Sequence, residues 1–415
     1  MIKIYKLATY IFLMLAPLIV IYRVLKKKEH PYRFIEKFGF RSQKRKNGKL
    51  IWFHGSSVGE ILSVIPLIEK LEKNKKINQI LLTSSTLSSS KVFKKLKLQK
   101  TIHQFFPLDS DIINRKFINY WRPSAAVFIE SEIWPNIIFN LKKNNIPLVL
   151  LNARITKKSF KKWNKFRFLS KSIFNKFDIC LSQNKETSIY LDKLGAKNIK
   201  NVGNLKFSEA NIKSNIYLNE NTKKFLNIKN IIFAAISTHN GEEIFCAKIF
   251  KILKNKFGKN ILLIIPRHID RSNEISRDIS ELGLNVYLHS TNKKVPKKTD
   301  VYLVDTFGET RLFLSHCSTV FMGGSLIKHG GQNPLEAARF GCKILHGKNI
   351  DNFKEVYSLL NKNQISFKIK NKNDALVKIK QMLKKKYNSK KNLEKLNYLG
   401  KQILLSNEKE LIKFF

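Results

Sequence analysis

A chain of 415 residues exceeds what one hydrophobic core usually serves, so two domains are expected. Its 43% apolar and 11% aromatic content is ample for folded cores and excludes wholesale disorder. The formal charge of +48 has two readings: lysine-rich composition throughout, much of it solvating helix faces, and an electrostatic one, attraction to anionic membrane, nucleic acid or phosphorylated substrate. Cys180, Cys246, Cys317 and Cys342 are far apart, lie in apolar contexts and form no C-x-x-C pair, which reads as reduced, buried thiols.

The first element is Leu7–Tyr22, a run without charge flanked by Lys3 and Lys6 before and by Arg23, Lys26, Lys27 and Lys28 after. No small-residue cleavage site follows it, as a removed signal peptide would need. It is at the short end for spanning, where ~17–25 residues are usual, and Pro17 interrupts it, so it reads either as a short spanning anchor or as a helix in the interface. The heavier basic flank after it places the body on the cytoplasmic side.

Ile51–Glu60, I-W-F-H-G-S-S-V-G-E, follows as a buried strand, a tight turn and a helix whose Ile61, Ile65, Ile68 and Leu71 keep a 3.6-residue period. Ser57 fits an N-cap with Glu60 as its capping-box partner. The same carboxylate stands at the carboxyl edge of a parallel sheet, where it could take a proton from a hydroxyl. Further apolar runs at Ile80–Leu82, Phe105–Phe106, Ala125–Ile129, Pro147–Leu151 and Ile179–Leu181 alternate with helical patterns. Beyond a polar, Asn-rich stretch comes a second series: Ile231–Ile236, Ile261–Ile265, Val301–Val304, Val320–Met322 and Lys343–Leu345. The fold class is therefore α/β, two Rossmann-like domains facing a cleft behind an N-terminal anchor helix, with a linker near Ser208–Lys229.

Polar motifs stand at successive strand ends. Glu130 and Glu132 follow Ala125–Ile129, and Lys206 lies near the expected hinge. In the second half Ser237–Glu243 ends a strand and opens a helix, a ready anion site. Arg267 and His268 end the next strand, Asp305–Glu309 another. Gly330-Gly331 precedes a helix opening at Asn333-Pro334, with Glu336 one turn on, placed for ribose hydroxyls. Such a set in one domain points to a nucleotide. There is no P-loop, no G-x-G-x-x-G after the first strand, and no H-E-x-x-H or paired Cys/His spacing, so no structural zinc is expected. Asp109-Ser110-Asp111 imitates a metal-holding D-x-D but sits where a helix should be capped.

The ordered motifs H-G-S-S-V-G-E, E-S-E-I-W-P-N, L-N-A-R-I-T-K-K-S-F, G-N-L-K-F, S-T-H-N-G-E-E, P-R-H-I-D-R, D-T-F-G-E and G-G-S-L-I-K-H-G-G-Q-N-P-L-E resemble those of the 3-deoxy-D-manno-octulosonic acid (Kdo) transferases, over nearly the whole chain. These enzymes move Kdo from CMP-Kdo to the lipid A precursor of Gram-negative bacteria. The resemblance implies a GT-B fold and an inverting, metal-independent transfer without a cofactor, on the cytoplasmic face of the inner membrane. It implies residues 1–30 as anchor and basic flank, 31–214 as acceptor-binding domain and 215–415 as CMP-Kdo-binding domain. By the family's pattern Glu60 is the catalytic base, while Glu130 and Lys206 support the transition state. Arg267, His268, Phe307, Gly308, Glu309, Asn333, Pro334, Leu335 and Glu336 match its CMP-binding positions. The implied partners are CMP-Kdo, the lipid A precursor and an anionic inner-membrane surface, with no nucleic acid. Asn240 replaces a usual acidic residue, Ala337 a frequent proline, and Arg311 and Phe313 alter the helix after Asp305. A GT-B transferase of another sugar nucleotide is the nearer alternative. A noncatalytic basic protein binding nucleic acid or membrane would account for the charge but not for the strand-end motifs.

Overall fold

The structure, a computed structural model, describes residues 2–208, 218–254, 260–384 and 389–415. The chain forms two compact units, Met1–Ala210 with Tyr398–Phe415, and Asn211–Asn397. Of the expected linker Ser208–Lys229, residues 209–217 lie outside the described residues, and Glu220–Ile228 is a helix of the second unit.

The first unit holds a seven-stranded parallel sheet of β1 (Leu50–His54), β2 (Gln79–Ser84), β3 (Thr101–Phe105), β4 (Ala125–Ile129), β5 (Leu148–Ala153), β6 (Ile179–Ser182) and β7 (Ile199–Asn201). Their order is β3-β2-β1-β4-β5-β6-β7. β1 pairs with β2 on one side (Trp52 opposite Leu81) and with β4 on the other (Phe53 opposite Val127). Helices cover both faces, so β1, β2, β4 and β5 are buried at every residue, and this is why they appear in the sequence as unbroken apolar runs. The order reverses at β1, making the β1/β4 edge the switch point of this sheet.

The second unit repeats the plan with β8 (Asn230–Thr238), β9 (Asn260–Pro266), β10 (Val286–Leu288), β11 (Val301–Leu303), β12 (Thr319–Met322), β13 (Lys343–His346) and β14 (Ser366–Lys368). The order β10-β11-β9-β8-β12-β13-β14 puts its switch point between β8 and β12. β7, β10 and β14 are edge strands of three residues; polar residues in β7 and β14 leave no apolar run, and in β10 the run Val286–Leu288 is short and half-exposed at both ends.

Two boundaries differ from expectation. The helix Ile2–Leu25 runs through Pro17 rather than stopping there, as apolar helices tolerate. One stripe of it packs on the first unit: Ala16 and Val20 are buried, the Tyr5 hydroxyl donates to Asp109 at 2.9 Å, and Asn136 donates to the Thr9 hydroxyl at 3.1 Å. Its other faces, with Leu7, Met14, Leu18 and Leu25, are exposed, and by length and composition the helix can cross a membrane. The range 215–415 is also too long for the second domain. Tyr398–Phe415 returns to the first unit, where Ile403 and Leu411 join the core on the Ile51/Phe53 side of the sheet and Lys200 pairs with Glu410 at 2.9 Å.

Candidate active site

At the end of β1 the chain turns through Gly55 into the helix Val58–Glu72, with Ser57 as N-cap accepting from the Glu60 amide. The Glu60 carboxylate accepts from the Ser56 amide at 2.7 Å and the Ser57 hydroxyl at 2.9 Å, so it caps this turn as its spacing predicts. Gly55 lets the turn pack closely, since a Cβ there would lie 3.1 Å from the Glu60 Cβ and 3.0 Å from the end of the Ile129 side chain. Capping does not keep Glu60 acidic. Burial first, then the charge of Glu132 and, less strongly, that of Glu130, push it up to about 7 against the two hydrogen bonds.

Glu132 holds the site together although the sequence gives it no distinct role. One of its oxygens accepts from the Ser56 hydroxyl at 2.7 Å and the Trp134 indole at 2.7 Å, and lies 3.0 Å from His54 Nε2. Burial alone would raise this carboxyl, but the contacts from His54, Ser56 and Trp134 outweigh it and hold it below the usual range. His54 closes β1 rather than opening the turn; its buried ring stacks on Phe106 with centroids 3.6 Å apart. Only the paired acidic letters of E-S-E and a histidine at a strand end signalled this connection.

Glu130 ends β4 with φ +56°, a left-handed conformation uncommon for a side-chain-bearing residue. It is 6% exposed and its carboxylate meets the Lys206 ammonium at 2.5 Å. Asn152, also left-handed, accepts from the Leu205 amide at 3.0 Å, and Asn204 accepts from the Lys206 amide at 2.9 Å, which pins the G-N-L-K-F segment beside β5. The three expected residues Glu60, Glu130 and Lys206 therefore come together at the first sheet's switch point.

In the second unit Ser237, with φ +54°, ends the long β8, and Gly323 abuts it so closely that a Cβ would stand 2.2 Å from the Ser237 carbonyl. One backbone donor of the expected anion site, the His239 amide, is taken from within the chain. Glu242, buried at 1% exposure, accepts from His239 and Gly324 on one oxygen at 3.0 and 2.7 Å, and from Ser325 and Leu326 on the other, both at 3.0 Å. Beside them His239 contacts the rings of His329 and His268, at 4.3 and 5.7 Å between centroids, and Gln332 at 3.1 Å. Burial, then His329, His268 and the neighbouring arginines, lower His239 to about 4.

A cavity of about 130 Å³ at this end is lined by Ser237, Thr310, Gln332, Asn333, Glu336 and apolar neighbours. Asn333 and Glu336 are thus brought together. Pro334 is the N-cap and Leu335 the first helical residue, one position later than expected, and Asn333 Oδ1 accepts from the Leu335 amide at 3.1 Å. Arg311 pairs with Glu336. Phe307 and Gly308 form an exposed turn, and Glu309 lies 3.2 Å from His289. Arg267 and His268 are exposed at the end of β9, Arg267 bonding through its amide to the Thr238 carbonyl.

Asp109 does cap a helix, but not the one that follows it. Its carboxylate accepts from the Asn136 and Ile137 amides, at 3.1 and 2.9 Å, at the start of Pro135–Lys143. Asp111 is taken by Lys6, Arg115 and Asn140. Among the described residues no three His, Cys, Asp or Glu side chains gather as a metal site would need.

Residues 32–209 match the family model described as 3-Deoxy-D-manno-octulosonic-acid transferase (kdotransferase). A 3-deoxy-D-manno-octulosonic acid transferase of Rickettsia bellii is 32% identical over 92% of this chain and 91% of its own. That of Rickettsia felis is 35% identical over 80% and 71%. A crystal structure of UDP-GlcNAc 2-epimerase from Neisseria meningitidis bound to UDP-GlcNAc shares the fold, with TM-score 0.55 at 10% identity over 88% of this chain and 99% of that one. Two parallel Rossmann-like sheets, the carboxylates at the switch point of the first and relatives of this length agree: the chain is a glycosyltransferase of the GT-B type and belongs to the 3-deoxy-D-manno-octulosonic acid transferase family.

Proposed function

We propose that this chain transfers Kdo from CMP-Kdo to the tetraacyl lipid A precursor in lipopolysaccharide synthesis, with Glu60 as general base. The observation that carries the reading is a carboxylate at a parallel-sheet switch point, lifted to about 7 and adjoining the Glu130–Lys206 pair. A base works best when its pKa lies near the working pH. The acceptor hydroxyl forms its new bond to the anomeric carbon as Glu60 takes the proton, and the bond to the CMP phosphate breaks on the opposite face, with inversion. The centre gains oxocarbenium character, which the charge of Glu130 favours. Arg267 of the second unit neutralises the departing phosphate. The Gly324, Ser325 and Leu326 amides take no part in this, since Glu242 already occupies them. Asn333 and Glu336 fit the ribose and base of CMP.

The body lies on the cytoplasmic face of the inner membrane. The N-terminal helix is packed on the first unit from Tyr5 to Val20, roughly 22 Å of its length. A helix held along that distance fits a position in the membrane surface, with its exposed apolar faces toward lipid.

The test is incubation with CMP-Kdo and tetraacyl lipid A precursor, counting added sugars by mass spectrometry. Transfer is expected to persist in EDTA, because the carboxylates of Asp109 and Asp111 are engaged within the fold. Loss of turnover in EDTA, restored by magnesium or manganese, would overturn metal independence. The pH profile tests the base. Activity requires ionised Glu60, so kcat/KM should fall about tenfold per pH unit below about 7. Glu132→Gln removes the like charge that raises Glu60, and the acid limb should move to lower pH; an unmoved limb would separate Glu60 from the profile.

A further inference from the structure

A groove of about 350 Å³ runs between the N-terminal helix and the segment after β3. Its walls are Phe12 and Leu13 of the helix, Phe106, Pro107 and Leu108 after β3, and Trp134 after β4. Of the polar groups at its margin, Tyr5 is engaged with Asp109 and Lys37 with Glu29, while the buried Ser110 hydroxyl has no partner. The groove therefore offers an apolar surface in a protein of charge +48.

We propose that this groove holds one acyl chain of the lipid acceptor, drawn in along the N-terminal helix. The inference rests on the reading of the chain as a transferase to a lipid acceptor. Two features select this occupant. One wall belongs to a helix whose other faces expose Leu7, Met14 and Leu18, so the groove is continuous with the surface that meets the bilayer. The opposite wall leads to the chemistry. The Trp134 indole donates to Glu132, the Ser56 hydroxyl donates to the same oxygen, and the Ser56 amide donates to Glu60. A chain seated against Trp134 sets the sugar headgroup of its lipid beside the carboxylates. A phospholipid with an ethanolamine headgroup has no hydroxyl to present there, and none carries a sugar, so the acceptor is the occupant for which this continuity matters.

The experiment uses the full-length protein in mixed micelles with an acceptor carrying a diazirine at the end of one acyl chain. After irradiation, peptide mapping is expected to place the label on Leu13 and on Pro107 or Leu108, with unlabelled acceptor competing and phospholipid not. Label confined to Met14, Leu18 and other outward positions, or equal competition by phospholipid, overturns the proposal.

Leu108→Trp fills the groove and touches none of the carboxylates. In wild type each methylene removed from the chain should weaken acceptor binding roughly fourfold. In the variant KM for the full-length acceptor should rise at least about tenfold, the dependence on chain length should flatten, and kcat should hold. An unchanged dependence on chain length overturns the proposal. Photolabelling reads binding without turnover. Groove labelling in a protein that transfers no Kdo would retain the groove and refute the transfer, whereas transfer with labelling only outside would do the reverse.

Discussion

Glu60→Gln should lower single-turnover Kdo transfer by about 10²–10⁴-fold while leaving CMP affinity unchanged. The amide keeps the size of the side chain and can still accept from the Ser56 amide, but it cannot take the acceptor's proton. Stability gives an independent reading, because the fold disfavours the charged form. Glu60 titrates near 7 in the fold against an ordinary 4.5, so the folded chain holds this proton more tightly between those values. Ionisation weakens the fold progressively from about pH 4.5 to 7, and the loss is complete above that. At pH 8 the neutral variant should melt no lower than wild type, and higher by on the order of 1 kcal/mol once solvent screening of a half-buried group is allowed for. A folded, CMP-binding Glu60→Gln protein with near-normal turnover would remove Glu60 as the base. A variant that is both inactive and strongly destabilised would make capping its main role.

Glu242→Gln should produce the largest loss of stability in the second unit. Each carboxylate oxygen of Glu242 accepts two backbone amides, His239 with Gly324 and Ser325 with Leu326. An amide side chain retains one acceptor oxygen and turns an NH₂ toward the other two donors, at a position 1% exposed. Two buried amides left unpaired cost about 1–3 kcal/mol each, which lowers Tm by roughly 5–20 °C. The loops after β8 and β12 carry Ser237, His239, Gln332 and Asn333, so CMP affinity should fall with them. Thermal melting beside CMP calorimetry decides the matter. An unchanged Tm would show that the carboxylate does not hold the loops, and lost stability with intact CMP affinity would place nucleotide binding elsewhere.

Local chemistry was legible in the sequence alone. Ile51–Glu60 reads as strand, turn and capped helix because capping spans three residues and a strand buried on both faces must be apolar throughout. The same periodicities gave the α/β class, the central strands of both sheets, and Glu60 and Glu130 as residues at strand ends, whereas Lys206 stood out only through the family resemblance. Edge strands β7 and β14 escaped because nothing requires their side chains to be apolar, and β10 because three residues are too few to set a pattern. Asp109 was read as a cap, yet which helix it caps depends on the packing of Pro135–Lys143 against it. The return of Tyr398–Phe415 to the first unit rests on contacts far along the chain, such as Lys70 with Glu408 and Lys200 with Glu410. Glu242, within the stretch that suggested an external anion, instead holds the amides of Ser325 and Leu326 more than eighty residues later. Glu132 reaches back 78 residues to His54, and Lys206 lies 76 residues beyond Glu130. The sequence can place a carboxylate at a sheet edge. Whether it is lifted to about 7, like Glu60, or held low, like Glu132, depends on the burial, charges and donors around it, and those are set only when β1 and β4 become neighbours.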